Sequence, residues 1–308
     1  MAQIVARALA EALAAQGTRM NTVVTPSTRR SIGDILVAAG RLSSANANLI
    51  MEHQRQHEIQ FGDAALALKL LTKDDIDFAL AKQFDYTYLA QQDTSLSPDL
   101  VAAYQPFSAI GEHLRAVRSQ LMLRWFNTDA LHKVLAVVSP GKSDGRSFIA
   151  ANLAIVFAQQ GQRTLLLDAD LRAAPGASQQ ALFKLGKSAG LSGILAGRTN
   201  LEAAALPVPS LPGLTVLPTG ALPPNPQELL GRPEFGQLLG SAAQQFDVII
   251  IDTPAGGDFS DAEIIAARAG AALMLARKNK SLLPNVALLA RRLQEGGVTL
   301  VGSVLNDG

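Results

Sequence analysis

Six short apolar runs constrain this chain more than any other feature. They are HKVLAVVS (132–139), RTLLLDAD (163–170), LTVLP (214–218), DVIIIDTP (247–254), AALMLAR (271–277) and TLVGSVL (299–305). Each is too short for a buried helix and too continuously apolar for a strand wet on one face, so each reads as a strand buried on both faces. Helical stretches at 147–160, 226–245, 260–268 and 282–295 separate most of them. Strands of this kind alternating with helices predict a doubly wound α/β domain with a parallel sheet covered on both sides. A hydrophobic fraction of 48% against 17% charged residues suits such a core and argues against disorder.

The region before it has a different texture. SIGDILVAAGRLSSANANLIMEHQ (31–54) and QFGDAALALKLLTKDDIDFALAKQ (60–83) align without gaps, pairing Gly33 with Gly62, Asp34 with Asp63 and Leu42 with Leu71. Each unit predicts a helix, a short turn beginning with Ser43 or Thr72 as N-cap, and a second helix; such units bury one another's apolar faces. The expected organisation is a helical extension (1–30), a small all-helical repeat domain (31–92), a linker (93–107) marked by Pro98 and Pro106, and the α/β domain (108–308).

Composition removes several function classes. A net charge of +1 with no long basic run gives no footprint for nucleic acid. The absence of cysteine excludes disulfides, thiolate metal sites and a cysteine nucleophile. The opening MAQIVARALAEALAAQG is too polar for a signal peptide and too short for a membrane span, and no other stretch reaches eighteen uncharged apolar residues. The expectation is a cytoplasmic chain recruited to the inner membrane by a partner.

The first strand runs into SPGKSDGRSF (139–148) and then a helix. A tight turn whose amides face inward, followed by a helix N-terminus, makes an anion cradle. The pattern G-x-x-x-x-G-K-[ST] is altered twice, with Pro140 at the first glycine and Arg146 at the lysine. Arginine keeps the positive charge but spreads it over a planar fork. Gly141, Ser143, Asp144, Gly145, Arg146, Ser147 and Phe148 are the expected nucleotide contacts. An ordinary strand-to-helix turn is the bland alternative, and the acids at other strand ends argue against it. Asp168, Asp170 and Asp252 close two of the apolar runs, and ligands in open α/β sheets lie beyond the carboxyl ends of the strands. Ser147, Asp168 and Asp252 suit Mg²⁺, and Asp170 suits proton acceptance from a hydroxyl. Arg146, Asp168 and Asp170 form the expected catalytic set for ATP.

At these residues the chain resembles the bacterial tyrosine kinases (BY-kinases), relatives of the MinD/ParA ATPases that work with membrane chain-length determinants of exopolysaccharide synthesis. LLLDADLRAAP is similar to the family's second Walker A motif and FDVIIIDTP to its Walker B. GLTVLPTGALPPNPQELLGRPEF resembles the stretch after the core strands. Glu112, Arg115 and Arg118 match the E-x-x-R-x-x-R signature of ring-like self-association, and their spacing places them along one helix face. The likeness covers Ser108 to Asn306 and is strongest to EpsG-type members, where a G-R-S loop end also occurs. It implies an ATP- and Mg²⁺-dependent protein-tyrosine kinase or ATPase working with a membrane copolymerase. Two departures matter. Arg146 replaces the loop lysine, and the tyrosines present, Tyr86, Tyr88 and Tyr104, all precede the α/β domain, so the resemblance predicts no phosphorylated tail within this sequence. A MinD-like switch and a catalytically silent, nucleotide-binding scaffold are the alternatives. The repeat resembles the N-terminal domain of type II secretion ATPases, some of which bind cyclic di-GMP. Ser31 and Gln60 stand at the arginine positions and Lys69 at a glycine, which favours a protein-docking module.

Overall fold

The computed structural model describes residues 31–83, 87–90, 92–173 and 178–307. The expected extension 1–30 and Tyr86 lie outside the described residues. The chain divides into two compact units, Met1–Gln83 and Phe84–Gly308.

In the first unit, helices α1 (Ile32–Ala38) and α2 (Ser44–His57) form one repeat and α3 (Phe61–Ala67) and α4 (Lys73–Gln83) the other. The caps follow the sequence. The Ser43 hydroxyl accepts from Asn46 N at 3.1 Å. Thr72 and Asp75 form a reciprocal pair, with Thr72 N donating to Asp75 Oδ2 at 3.0 Å and Asp75 N to Thr72 Oγ1 at 3.3 Å. The repeats embrace: α1 packs against α4, and α2 against α3. Leu36, Ile50, Ala64, Ala65 and Ala79 fill the shared core.

The second unit is built on a seven-stranded sheet of β1 (Val134–Val138), β2 (Thr164–Asp168), β3 (Leu206–Pro207), β4 (Leu214–Leu217), β5 (Val248–Asp252), β6 (Ala271–Arg277) and β7 (Thr299–Asn306). Its order is β3-β4-β2-β5-β1-β6-β7, parallel throughout except for the β3–β4 pair. Side chains alternate between two cores, as the period of a strand requires. Leu135, Val137, Leu166 and Ile250 enter one; Val134, Ala136, Leu165, Leu167, Ile249 and Ile251 enter the other.

Helix α7 (Arg146–Ala158) follows β1 and is buried around almost its whole circumference. A helix apolar on every side needs cover on every side. The sheet supplies one side. The other is supplied by the segment preceding β1: helix α5 (Val101–Tyr104), helix α6 (Ala109–Leu121) and the π-helical turn Met122–Phe126 that continues it. This corrects the expectation of a linker over 93–107. Leu96, Leu100, Ala102 and Ala103 are buried in the same core as α7. Asn152, fully buried, pins the segment by accepting from Ala102 N at 2.9 Å and donating to Asp99 O at 3.2 Å. Proline and small polar residues shaped its turns, but its leucines were the informative residues.

Leu100→Ala should therefore cost about 2–5 kcal/mol, the usual range for a buried leucine truncation. Denaturant unfolding of the full chain checks this; a change under about 0.5 kcal/mol, normal for an exposed site, would restore the linker.

Candidate active site

The site is set by strand register. Because β5 lies between β1 and β2, Asp252 pairs across the sheet with both Asp168 and Val137. The last residues of β2 and β5 are thus acids held side by side, next to the loop that leaves β1. Both are essentially inaccessible, at 1% exposure each. Burial raises the pKa of Asp168 well above its ordinary value, and the charge of Asp252 adds to the effect. Burial also raises Asp252, to about 6, while hydrogen bonds from Ser147 and Gln179 and the charge of Arg146 pull it back.

Gln179, invisible as a site residue in the sequence, ties this pair together. It opens the four-residue helix α8 (Gln179–Leu182) and is fully buried. Its backbone N–H donates to Asp168 Oδ2 at 2.8 Å and its Nε2 to Asp252 Oδ2 at 2.7 Å and to Ser147 O at 3.1 Å. Asp252 Oδ1 and Gln179 Oε1 are buried with no hydrogen-bond partner among the described residues. Unpartnered buried oxygens carry a penalty of a few kcal/mol that a cation removes. Oxygen donors of this kind, few in number and beside a phosphate cradle, fit Mg²⁺, which takes one or two carboxylates and completes its shell with phosphate and water. Ser147, Asp168 and Asp252, the metal candidates of the sequence, lie together here beside Gln179.

Beside them opens a cleft of about 490 Å³ lined by the loop residues Lys142, Ser143, Gly145, Arg146, Ser147 and Phe148, by Asp170 and Arg172, and by Pro254–Phe259 residues opposite. Asp170 is the partly exposed acid of the set. Burial raises its pKa, and its carboxylate accepts from Arg172 N at 3.1 Å. Arg172 pairs with the buried Asp261 and lies 3.9 Å above the Phe259 ring, closing the far wall.

Two expected nucleotide contacts are engaged within the loop itself. Asp144 turns its carboxylate inward and accepts from Gly141 N at 2.9 Å. Arg146 folds back across the loop: Nε donates to Thr253 O at 2.8 Å, and Nη1 to Ser139 Oγ and Gly141 O at 2.5 Å each. Those bonds commit Nε and Nη1 and leave Nη2 with no hydrogen-bond partner among the described residues. Phe148 packs its ring on the core under α7 while lining the cleft.

Glu112, Arg115 and Arg118 are on α6 and have partners within the chain. Arg115 bonds Glu112 Oε1 and Pro106 O, and Arg118 bonds Val156 O at 2.9 Å. They lock α6 onto its own unit.

A mostly parallel sheet with a phosphate loop after β1 and acids ending the adjacent strands β5 and β2 defines a P-loop nucleoside-triphosphatase fold. Comparison narrows it. No family model matches the chain. The chain is 34% identical over 208 residues to the tyrosine-protein kinase wzc of Salmonella typhimurium, covering 68% of this chain and 28% of that protein. The kinase domain of the Escherichia coli tyrosine kinase ETK superposes with a TM-score of 0.64 at 32% identity, covering 72% of this chain and 85% of that domain. The chimerical protein CapA2B2 superposes at 0.62 and 29% identity, over 74% of this chain and 96% of its own. This chain belongs to the bacterial tyrosine kinase family. It spans 28% of the length of the curated relatives and shares with them the kinase domain.

The acid pair makes stability fall with pH. Burial raises both pKa values above those of the unfolded chain, so the folded state holds the extra protons. For Asp252 the stability of the protonated form is full below about pH 4 and is lost as pH rises through about 6; Asp168 acts in the same direction. Moving Asp252 from 3.8 to about 6 corresponds to roughly 3 kcal/mol when it is ionised. Asp252→Asn should accordingly stabilise the nucleotide-free protein at pH 8 by up to about 3 kcal/mol, with the gain shrinking toward pH 4. It should also remove stabilisation by Mg-ADP. Denaturant unfolding against pH, with and without Mg-ADP, reads both effects.

Proposed function

We propose that this chain is an ATP- and Mg²⁺-dependent protein-tyrosine kinase subunit that regulates exopolysaccharide polymerisation, chain length or export together with a membrane copolymerase. One observation carries the proposal: a buried acid pair with an unpartnered carboxylate oxygen sits beside a phosphate loop, an arrangement that a magnesium-bound triphosphate completes. The group supplied by bound Mg-ATP is the γ-phosphoryl, with the metal neutralising its charge. Ser147, Asp252 and Asp168 would hold the metal, directly or through water. The loop amides and the Nη2 group of Arg146 would bind phosphate oxygens. Asp170, the acid open to the cleft, would accept the proton of an incoming tyrosine hydroxyl at its carboxylate.

No helix among the described residues is long and apolar enough to cross a membrane. We assign recruitment to the inner membrane to the cytoplasmic segment of the partner, with the helical repeat unit as a docking module in preference to a cyclic di-GMP site. Glu112, Arg115 and Arg118 would contribute to self-association, exchanging present bonds for contacts with a neighbour. A second reading, a nucleotide-binding scaffold without phosphoryl transfer, is favoured by the commitment of Arg146 to Thr253 O, Ser139 Oγ and Gly141 O.

Purified protein with labelled Mg-ATP, with and without a copolymerase cytoplasmic segment, separates the readings. The kinase yields phosphotyrosine that falls about 10²-fold or more in Asp170→Asn, the scale of a lost general base. Free phosphate alone indicates a switch, and ATP binding with neither product indicates the scaffold.

A further inference from the structure

The phosphate loop is held from outside by three side chains from the opposite edge of the sheet. Lys280 Nζ donates to Lys142 O at 2.5 Å, Arg277 Nη1 to Ser143 O at 2.9 Å, and Asn306 Nδ2 to Asp144 O at 3.0 Å. Arg277 ends β6, Asn306 ends β7, and Lys280 lies in the turn after β6. Together with Arg146 on Gly141 O, this gives four consecutive loop carbonyls a side-chain donor each.

A peptide unit is planar, with its C=O and N–H on opposite sides. Drawing the carbonyls of Lys142, Ser143 and Asp144 toward the β6–β7 edge therefore turns the amides of Ser143, Asp144 and Gly145 the other way. The amides of Ser143 and Gly145 have no hydrogen-bond partner among the described residues, and Asp144 closes the turn over 142–143. The backbone there is demanding: Ser143 has φ +57° and Gly145 φ +100°, both in the left-handed region. Alternation of this kind makes a concave row of amides suited to an anion. The approach at Gly145 is so close that a Cβ there would lie 2.3 Å from Asn306 Nδ2. Glycine is thus favoured by φ, and any side chain there would displace the Asn306 amide from the loop.

We propose that Arg277, Lys280 and Asn306 are positioning residues that hold the loop amides ready for the nucleotide's phosphates. This rests on the nucleotide reading above and adds to it a device outside the loop motif. Two of the three side chains are cationic, so simple attraction for phosphate is the competing account. Asn306 is neutral, and there the two accounts differ.

The test is isothermal titration of the full chain with Mg-ADP at low and high salt, together with amide hydrogen exchange of the loop in the nucleotide-free protein. Asn306→Ala should weaken Mg-ADP about two- to tenfold, the worth of one net hydrogen bond. The loss should be the same at both salt concentrations and be accompanied by faster exchange in residues 142–146. Asn306→Gln should partly restore affinity. Arg277→Ala and Lys280→Ala should keep most of their deficit at about 0.5 M KCl, where exposed charges are largely screened. Wild-type affinity and exchange in Asn306→Ala, or cationic deficits that vanish in salt, would overturn the proposal while leaving nucleotide binding intact. Failure of the wild-type protein to bind Mg-ADP would overturn the nucleotide reading and this one with it.

Discussion

Two carboxylates forced together in the interior are the constraint on which this unit turns. Asp168 and Asp252 meet because β5 is inserted between β1 and β2 in parallel register, which aligns the last residues of β2 and β5. Neither can be fully charged without cost in so dry a place. The fold tolerates them through the backbone amide and side-chain amide of Gln179, yet leaves one Asp252 oxygen unpartnered. What remains unsatisfied is negative charge and oxygen lone pairs, beside a loop offering positive charge and N–H groups.

Helix α7 carries this arrangement because it is fixed on both sides. Its sheet-facing side sets the loop at the carboxyl end of β1. Its outer side is fixed by Leu89 and the stretch from Leu96 through Phe126, whose Trp125 donates to Val134 O at 3.0 Å and stacks on His132. The segment before β1 is therefore part of the support for the phosphate loop. Asn152 and Gln159 donate to carbonyls of that segment, at Asp99, Thr87 and Ala102, so movement there reaches α7 directly.

The sheet was legible because strands buried on both faces leave an unmistakable apolar run, and the six runs correspond to β1, β2, β4, β5, β6 and β7. The two-residue edge strand β3 was not, since Leu206–Pro207 carries no period to detect. The linker expectation failed for a reason present in the sequence. RSFIAANLAIVFA has no polar face, so a second covering layer was required, and the leucines of 89–100 were available to provide it. In the site, acids at strand ends were legible because strand periodicity fixes where a chain leaves the sheet. Gln179 was not: a glutamine opening a four-residue helix has no pattern, and only the tertiary fold brings it to Asp168 and Asp252.

Arg146 shows why a motif position alone underdetermines a role. A lysine there is a flexible point charge, whereas the guanidinium has donors on three nitrogens and can serve two sets of acceptors at once. Here Nε and Nη1 take Thr253 O, Ser139 Oγ and Gly141 O, knitting β1, the loop and the end of β5 into one piece. The side chain that most resembles a ligand for phosphate is thus first a brace for the cradle. A fork can do both, because Nε and Nη1 brace the loop while Nη2 has no hydrogen-bond partner among the described residues. An arginine at this position thus has its charge anchored to the loop through Nε and Nη1, where a lysine would present one flexible ammonium.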